Sequence, residues 1–400
     1  MLSKDEAFKL VRFSYEDLKS SASAIRDENY SNIITYSPKA YVPVTHLCRN
    51  SCAYCAFVKD PNSIKDIYTD LSDITQTCNS AIEMNCAEAL IALGEFPEEK
   101  YEVAREWLHN NGYNSTIDYV LEVSKFILEN FNLLPNTNCG SISSKNIVRL
   151  KEYTVSQGML LETIAGRLSE PGGPHFECPD KSPALRLSTL EAAGRAKIPF
   201  STGILVGIGE TRSECIEALL AIRELHFRFN HIQEVIVQKF VPQRNTAMEN
   251  YPACDDEEHL WAISAARLIF QNSTHIQAPS NLTDSIADLI NAGIDDLGGI
   301  SPINPDFANP DNAWPHLGTM KIQINEIGKE LIARAPVYPE YIDKPGFIHE
   351  NVLPYLKSKV NNKNYLLNEP LSQNNVFIDL TDDEETVSRP RDRNLPVKHK

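Results

Sequence analysis

Three cysteines stand close together near the start of the chain, in the stretch HLCRNSCAYCAF that begins at His46. Cys48, Cys52 and Cys55 are separated by three residues and then by two, and they follow the apolar, strand-like run AYVPVT. Thiolates at this density bind soft metals, so the choice lies between zinc and an iron–sulfur cluster.

The number of candidate ligands narrows that choice. A structural zinc site and an ordinary 4Fe–4S cluster both need four protein ligands, and no second cysteine pair follows at a finger-like distance. His46 lies two residues before Cys48, where its ring would more easily point away. Three thiolates therefore favour a cluster with one iron left open for a ligand that reacts. The alternatives are an electron carrier, a zinc-stabilised domain and a chance group of free thiols. The remaining cysteines are interpreted as small buried hydrophobic residues: Cys78, Cys86, Cys139, Cys178, Cys215 and Cys254.

The composition limits the classes of partner and compartment. The 400 residues include 38 basic and 54 acidic side chains, and the formal charge of -16 disfavours nucleic acids and anionic membranes as partners. The N-terminus lacks the apolar core of a signal peptide, and no run of about 18 apolar residues occurs. We therefore expect a cytoplasmic protein, in which clustered cysteines indicate metal or redox chemistry rather than disulfides.

Strand and helix patterns alternate along most of the chain. Helical patterns such as TIDYVLEVSKFILENF and DEEHLWAISAARLIF separate short runs rich in β-branched or aliphatic residues. About eight such units over roughly 280 residues predict a (β/α)8 TIM-type barrel, with a doubly wound open sheet as the alternative. The candidate strands are residues 41–45, 88–93, 133–137, 158–162, 202–206, 234–240, 275–279 and 295–299.

The two ends of the chain differ from its middle. Residues 1–37 are predicted to be a helical extension with one leading helix, because apolar residues recur there at helical intervals. The barrel is assigned to residues 38–358. Residues 359–400 are polar, then acidic, then basic, and we expect them to form a flexible tail.

In a barrel of this kind the chemistry lies at the carboxyl ends of the strands. Several polar residues that a core does not explain fall at those ends, so one rim of the barrel would collect them. They are Cys48 to Cys55, Gly94, Glu95, Thr137, Asn138, Glu162 and Gly207 to Glu210.

The stretch CRNSCAYCAF resembles the cluster motif of the radical S-adenosylmethionine enzymes. That motif is Cys-x3-Cys-x2-Cys with an aromatic residue, here Tyr54, before the last cysteine. In that superfamily S-adenosylmethionine chelates the open iron, and electron transfer from the reduced cluster releases a 5′-deoxyadenosyl radical. The resemblance implies a 4Fe–4S cluster on Cys48, Cys52 and Cys55, and S-adenosylmethionine as the second cofactor.

The same resemblance implies roles for residues at other strand ends. Gly94 and Glu95, in LGEFPEE, would bind the methionine ammonium group. Glu162 would accept hydrogen bonds from the ribose hydroxyls, and Arg186 would bind the methionine carboxylate bidentately. Gly207 lies in the Gly-rich turn of GILVGIGET, where the backbone would approach the adenine closely.

Longer segments between about residues 40 and 320 resemble the 7,8-didemethyl-8-hydroxy-5-deazariboflavin synthase family, most specifically the block around residues 174 to 211. That family implies conversion of 5-amino-5-(4-hydroxybenzyl)-6-(D-ribitylimino)uracil to a deazaflavin, with ring closure and loss of ammonia. It also implies a partner radical enzyme that supplies this adduct from tyrosine, and a reductant such as flavodoxin or ferredoxin. Fused versions carry two cluster motifs, whereas one is present here, so a single catalytic half is expected. The rival functions are a menaquinone-pathway cyclase, a tyrosine lyase and the partner enzyme itself.

Contacts with the substrate are assigned to polar residues near other strand ends, which could bind uracil, ribityl or phenol oxygens. Each also has a plain structural interpretation as a helix cap, a buried histidine or a surface charge, and Trp314 is either a stacking ring or a core residue. The candidates are His175, Lys181, Gln238, Asn281 and Asp296.

Overall fold

Strands and helices alternate in the computed structural model, which describes residues 2–368. The strands are β1 (Ile33–Thr45), β2 (Glu88–Leu93), β3 (Leu134–Asn138), β4 (Ser156–Gly158), β5 (Phe200–Val206), β6 (Ile232–Lys239), β7 (His275–Gln277), β8 (Asp296–Ile300) and β9 (Glu330–Ala333). The helices are α1 (Lys4–Lys9), α2 (Tyr15–Tyr30), α3 (Leu71–Glu83), α4 (Pro97–Lys100), α5 (Glu102–Asn110), α6 (Thr116–Phe131), α7 (Ser144–Lys151), α8 (Pro183–Arg195), α9 (Arg212–Phe229), α10 (Asp256–Phe270), α11 (Ile286–Ala292), α12 (Leu317–Glu326), α13 (Pro339–Ile342) and α14 (Leu353–Lys359).

Strand β1 closes the barrel because it pairs with a different neighbour along each part of its length. Residues 39–45 pair with β2, residues 35–38 pair with β8, and all of the ladders are parallel. The sheet order from β2 to β8 follows the chain, so the predicted (β/α)8 barrel is confirmed and the open sheet is excluded. Strand β9 is an addition to the prediction, and it pairs with the first four residues of β1.

Helices α6 and α10 have the bounds of the two predicted patterns, and their caps explain where they begin. The Ser115 side chain accepts a hydrogen bond from the backbone of Asp118, and Asp255 accepts one from Glu257. Such side chains satisfy the free N–H groups of a first helical turn. Both helices bury an apolar face against the barrel. This packing fixes the position of the strand that follows each helix.

Two local predictions are wrong. The single leading helix is two helices, because the chain is extended at Phe13 and Ser14 starts α2 through a capping box with Asp17. The predicted strand 158–162 is a strand only up to Gly158. Beyond it Glu162 has a left-handed backbone with φ of 67°, and a single bridge to Ile204 replaces a continuous ladder.

The ends of the described chain pack onto the barrel. Helix α2 packs against α10 and α11, and β1 starts at Ile33, inside the predicted N-terminal extension. Residues 360–366 form an antiparallel bridge, and the Leu366 amide donates to Ala333, so the first residues of the predicted tail belong to the packed structure. Residues 369–400 lie outside the described residues, and a tail there stays a prediction. Among residues 2–368, no helix has the length and apolar character needed to cross a membrane.

Three buried histidines are expected to weaken the fold in mild acid. Burial lowers the pKa of His226 and of His259 to about 4, and that of His231 to about 3. These values lie below the unfolded value of about 6.5, so the unfolded chain takes up protons first as the pH falls. The stabilisation is fully present above pH 6.5 and is lost as the pH falls toward about 4.

The histidine prediction is tested by anaerobic urea unfolding at pH 6 and pH 5. His231 and His259 each contact a backbone carbonyl at 2.9 Å through Nε2, a bond that a glutamine amide can replace. The double variant H231Q/H259Q should lose about 2 kcal/mol less stability over this step than the wild type. Burial raises the pKa of Glu234, so protonation of this residue favours the folded state as the pH falls. This opposite effect is the same in the wild type and in the double variant. The exposed His109→Gln variant is the control, and equal pH slopes in the double variant and the wild type would contradict the assignment.

Candidate active site

The three motif cysteines lie on the loop that follows β1, at the carboxyl end of the barrel. Backbone hydrogen bonds hold this loop on both sides: Ala53 donates to Pro174 at 2.9 Å, and Met248 donates to Ala53 at 3.0 Å. Cys48, Cys52 and Cys55 are unpaired, and all three line one cavity. The loop therefore presents three sulfur donors to a single space.

The surroundings shift the pKa values of two of these thiols in opposite directions. The Glu95 amide donates to Cys48 Sγ at 3.1 Å, a bond that favours a sulfur carrying negative charge. Burial raises the pKa of Cys48 to about 12, so a metal would have to displace its proton. At the second thiol, a hydrogen bond from Cys178 outweighs burial and lowers the pKa of Cys52. Residues 2–368 hold no ready-made group of three metal-binding side chains.

Glu95 and Arg186 form a buried ion pair beside the cysteine loop. Arg186 Nη2 donates to Glu95 Oε1 at 2.7 Å, and the Ser141 amide donates to Glu95 Oε2 at 3.0 Å. Burial raises the pKa of Glu95, although Arg186 opposes that change. A Cβ on Gly140 would lie 2.0 Å from the Glu95 carboxyl carbon, and one on Gly94 would lie 2.0 Å from the Leu47 oxygen. Gly140 therefore leaves room for this carboxylate, and Gly94 leaves room for the start of the cysteine loop.

Glu162 is the centre of a second buried network. Tyr54 donates to Glu162 Oε2 at 2.6 Å and Lys181 donates to Oε1 at 2.5 Å, while His175 Nε2 lies 3.2 Å from the carboxylate. Burial acts to raise the pKa of Glu162, but Lys181, Arg186 and His175 together hold it well below its ordinary value. Glu162 is therefore an ionised carboxylate, and its left-handed backbone aims it at the cavity.

One cavity of about 340 Å³ connects these groups with the interior of the barrel. Its rim carries the three cysteines and the two acidic networks. The rest of its lining carries a second set of charged and amide side chains, from the inner faces of the strands and from the segments that follow β8 and β9. A site of this form can hold a polar ligand near the cysteines and a second, longer ligand that reaches into the barrel. The residues of this second set are Lys39, Glu88, Asn136 and Gln277 on the deeper parts of the strands, Gln238 near the carboxyl end of β6, and Asp306 and Arg334 after β8 and β9.

Comparison with curated proteins identifies relatives over most of the chain. FO synthase of Streptomyces avermitilis is 41% identical over 355 residues, which cover 86% of this chain and 41% of that protein. FO synthase of Mycobacterium tuberculosis is 42% identical over 343 residues, covering 82% and 40%. 7,8-Didemethyl-8-hydroxy-5-deazariboflavin synthase of Methanopyrus kandleri is 38% identical over 321 residues, covering 80% of this chain and 96% of that protein. The chain belongs to this synthase family.

The chain spans about two fifths of the length of the FO synthases that it matches. No family model matches it. Among solved structures, the hydrogenase maturase HydG of Carboxydothermus hydrogenoformans has a TM-score of 0.67 at 19% identity, covering 84% of this chain and 77% of HydG. Methylornithine synthase (PylB) has a TM-score of 0.64 at 18% identity, covering 83% and 94%. These two structures share the barrel fold with the synthase family member described here.

Most of the predicted site residues of this family member lie around the cavity rim. His175 and Lys181, predicted as substrate contacts, both contact Glu162, and the Tyr54 hydroxyl lies 2.9 Å from His175 Nε2; Lys181 also lines the cavity, and the predicted substrate contacts stay predictions. Gln238 lines the cavity, as does Trp314, which stacks on another ring of its wall.

Five predicted site residues are absent from the described cavity lining: Tyr54 and His175, which contact Glu162, and three others that lie elsewhere. The Gly207 amide donates to Glu210 at 2.7 Å, with φ of 102°, and so shapes the turn after β5. Asn281 donates to Asp306 at 3.0 Å, behind the cavity wall. Asp296 accepts from Arg334 at 2.6 and 2.9 Å, at the start of β8. The structure thus gives Asp296 a structural ion pair at the base of the barrel.

Two residues of the synthase family member that lie close to the cysteine loop or line the cavity were not predicted as site residues from the sequence. Cys178 was assigned to the core, but it contacts Cys52, and the Ser51 amide donates to its sulfur at 3.3 Å. Lys39 lies inside the barrel on β1 and lines the cavity. A lysine within the apolar run that leads into the cysteine loop was the available signal.

Proposed function

We propose that this chain is a radical S-adenosylmethionine enzyme of the lyase class. It would convert 5-amino-5-(4-hydroxybenzyl)-6-(D-ribitylimino)uracil to 7,8-didemethyl-8-hydroxy-5-deazariboflavin, with release of ammonia, 5′-deoxyadenosine and methionine. The main support is the match that covers 96% of the Methanopyrus kandleri synthase. The cavity agrees with this function, because three thiols and two buried carboxylates share one space that extends into the barrel.

The residues at the rim fit the two cofactors that this reaction needs. Cys48, Cys52 and Cys55 would hold a 4Fe–4S cluster, since they offer three sulfur donors and an N–H group already faces Cys48 Sγ. When bound, the cluster and S-adenosylmethionine would supply one-electron chemistry that removes hydrogen from the substrate. Glu95 and Arg186 would exchange part of their mutual contact for the ammonium and carboxylate of the methionine group.

The Glu162 network would position the nucleoside part of S-adenosylmethionine. An ionised carboxylate accepts hydrogen bonds from vicinal hydroxyls, and Lys181 and Tyr54 hold this one in place. Since His175 is buried and Tyr54 is partly buried, they would limit the access of water to Glu162. These residues would bind and orient, while the proton carrier for the phenol group stays unassigned.

The proposed reaction needs partners and a compartment. A second radical enzyme would supply the tyrosine-derived uracil adduct, and a low-potential carrier such as flavodoxin or ferredoxin would supply electrons. We place this reaction in the cytoplasm, where such thiols stay reduced.

The proposed function predicts deazaflavin formation by the cluster-loaded protein. Anaerobic incubation with the uracil adduct, S-adenosylmethionine and dithionite should give deazaflavin absorbance and fluorescence, together with ammonia and 5′-deoxyadenosine. The same mixture without S-adenosylmethionine is the control. An electron carrier would give neither product, and a related cyclase or lyase would give 5′-deoxyadenosine only with a different substrate, so either result would overturn the proposal.

A further inference from the structure

Lys39 carries a buried ammonium group for which the proposed reaction has no use. The residue is 8% exposed and lines the deep end of the cavity. Within the part of the chain that the structure describes, its Nζ makes no hydrogen bond or ion pair, and it lies 4.4 Å from the Tyr41 ring and 6.0 Å from the Trp314 ring. Burial lowers the pKa of this amine, and a ligand oxygen that accepts from Nζ would give it the hydrogen-bond acceptor that residues 2–368 do not supply.

Strand β8 leaves room for the side chains that face this space. A Cβ on Gly299 would lie 2.2 Å from Lys39 Nζ, and a Cβ on Gly298 would lie 1.9 Å from Gln277 Nε2. Gly298 also has φ of 73°, a conformation that other residues rarely adopt. The two glycines thus let Lys39 and Gln277 extend into the barrel.

Carboxylate and amide oxygens lie around Lys39, although Glu88 and Asp306 already accept hydrogen bonds, Glu88 from Ser37 among others. Glu88 pairs with Lys39 in the β1–β2 register, and it accepts a bond from Asn136 at 2.9 Å. Asp306 accepts only from neutral groups among the described residues, including Asn281 at 3.0 Å. The oxygens Asn136 Oδ1 and Gln277 Oε1 are buried without a partner among residues 2–368. A ligand that fits here must bring several donors and at least one acceptor.

We propose that the deep end of the cavity binds a polyhydroxylated chain. Every hydroxyl both donates and accepts, so such a chain can satisfy the free oxygens and also accept from Lys39. A pyrimidinedione ring also has N–H donors, but they are fixed in the ring plane beside its carbonyls, whereas each hydroxyl of a flexible chain can turn to donate or to accept. If the proposed function holds, the ligand is the ribityl chain of the substrate. This polyol pocket consists of Lys39, Glu88, Asn136, Gln277 and Asp306.

The polyol pocket lies away from the cysteine loop, where the reaction would take place. Lys39 lies six residues before the end of β1 at Thr45, which corresponds to roughly 20 Å along an extended strand. The cysteine loop begins beyond that end. A substrate whose ribityl chain occupies the polyol pocket would therefore present its ring system toward the cysteines.

Equilibrium binding tests the proposal without turnover. Calorimetry on the cluster-loaded protein, with no reductant, compares the uracil adduct with an analogue in which a methyl group replaces the ribityl chain. Lys39→Met should weaken binding of the adduct about 10- to 100-fold and leave binding of the analogue unchanged. If Lys39→Met weakens binding of the adduct and of the analogue equally, Lys39 contacts the ring system rather than the ribityl chain. If binding of both compounds is unchanged, Lys39 does not contact the ligand. Either result overturns the proposal.

Controls separate this result from general damage and from failure of the proposed function. Lys125→Met removes an ammonium group that lies 5.8 Å from the Tyr153 ring, away from the cavity, and should change neither affinity. If Lys39→Met does not fold, Asn136→Ala tests the same pocket, with the same selective loss expected.

If the wild type binds neither compound, the proposed function fails. Ribitol alone then tests the pocket. It should raise the unfolding midpoint of the wild type but not that of the Asn136→Ala or Lys39→Met variant. If ribitol does not shift the midpoint of the wild type, the proposed polyol pocket is wrong.

Discussion

Replacing any one of Cys48, Cys52 or Cys55 by alanine should abolish the cluster. Each thiolate would bind a different iron, and a cluster that already lacks one protein ligand cannot lose a second and persist. Iron and sulfide per chain, measured after anaerobic reconstitution, should fall to near zero, and the brown absorbance should disappear. The free energy of unfolding of the cluster-free chain should change little, because the loop is held by backbone bonds to Pro174 and Met248.

Cys178 makes this experiment decisive, because it is the additional thiol that contacts the motif. Cys178→Ala should keep a full complement of iron and sulfide if three thiolates hold the cluster. If it loses the cluster as completely as Cys52→Ala does, the site has four protein thiolates and no open iron, and an electron carrier becomes the better interpretation. Cys215→Ala, buried in α9, is the matched control and should retain the cluster.

The barrel and the cysteine loop could be predicted because both depend on local patterns. Helix α6 and helix α10 have the bounds that their apolar periodicity predicted, with Ser115 and Asp255 as their caps. Strand β2 was also predicted with its observed bounds. Where a capping signal was overlooked, at Ser14, the prediction merged two helices into one. Local chemistry thus determined these elements.

The deep end of the cavity could not be predicted, because its residues meet only when the barrel closes. Lys39, Glu88 and Asp306 come from β1, β2 and the segment after β8, and none of them belongs to a motif. Asp296 was predicted as a substrate contact because it lies near the last predicted strand, but in the structure it pairs with Arg334, which follows the unpredicted β9. Pairing between distant residues cannot be derived from the spacing within either segment.

The Glu95–Arg186 pair gives the second large expected effect, on stability and on cofactor binding together. Both side chains are buried, and Arg186 also donates to the Asp180 carbonyl at 3.0 Å. Glu95→Gln or Arg186→Met leaves one buried charge without its partner, which should cost about 3 to 5 kcal/mol of stability. The double variant should cost less than the sum of the two, because it leaves no unpaired charge. Urea unfolding of the cluster-free chains measures all three.

Binding of S-adenosylmethionine distinguishes a cofactor contact from a purely structural ion pair. Each single variant should keep its cluster but bind S-adenosylmethionine about 10- to 100-fold more weakly, because a charge-assisted hydrogen bond to the methionine group is lost. Asp295→Asn is the matched control. It breaks the equally buried pair with Arg267, next to β8 at the opposite end of the barrel, and so should lower stability while leaving this affinity unchanged. If Glu95→Gln behaves like Asp295→Asn, with stability lost and affinity intact, then the pair only supports the fold, and the methionine group must bind to other residues at the rim.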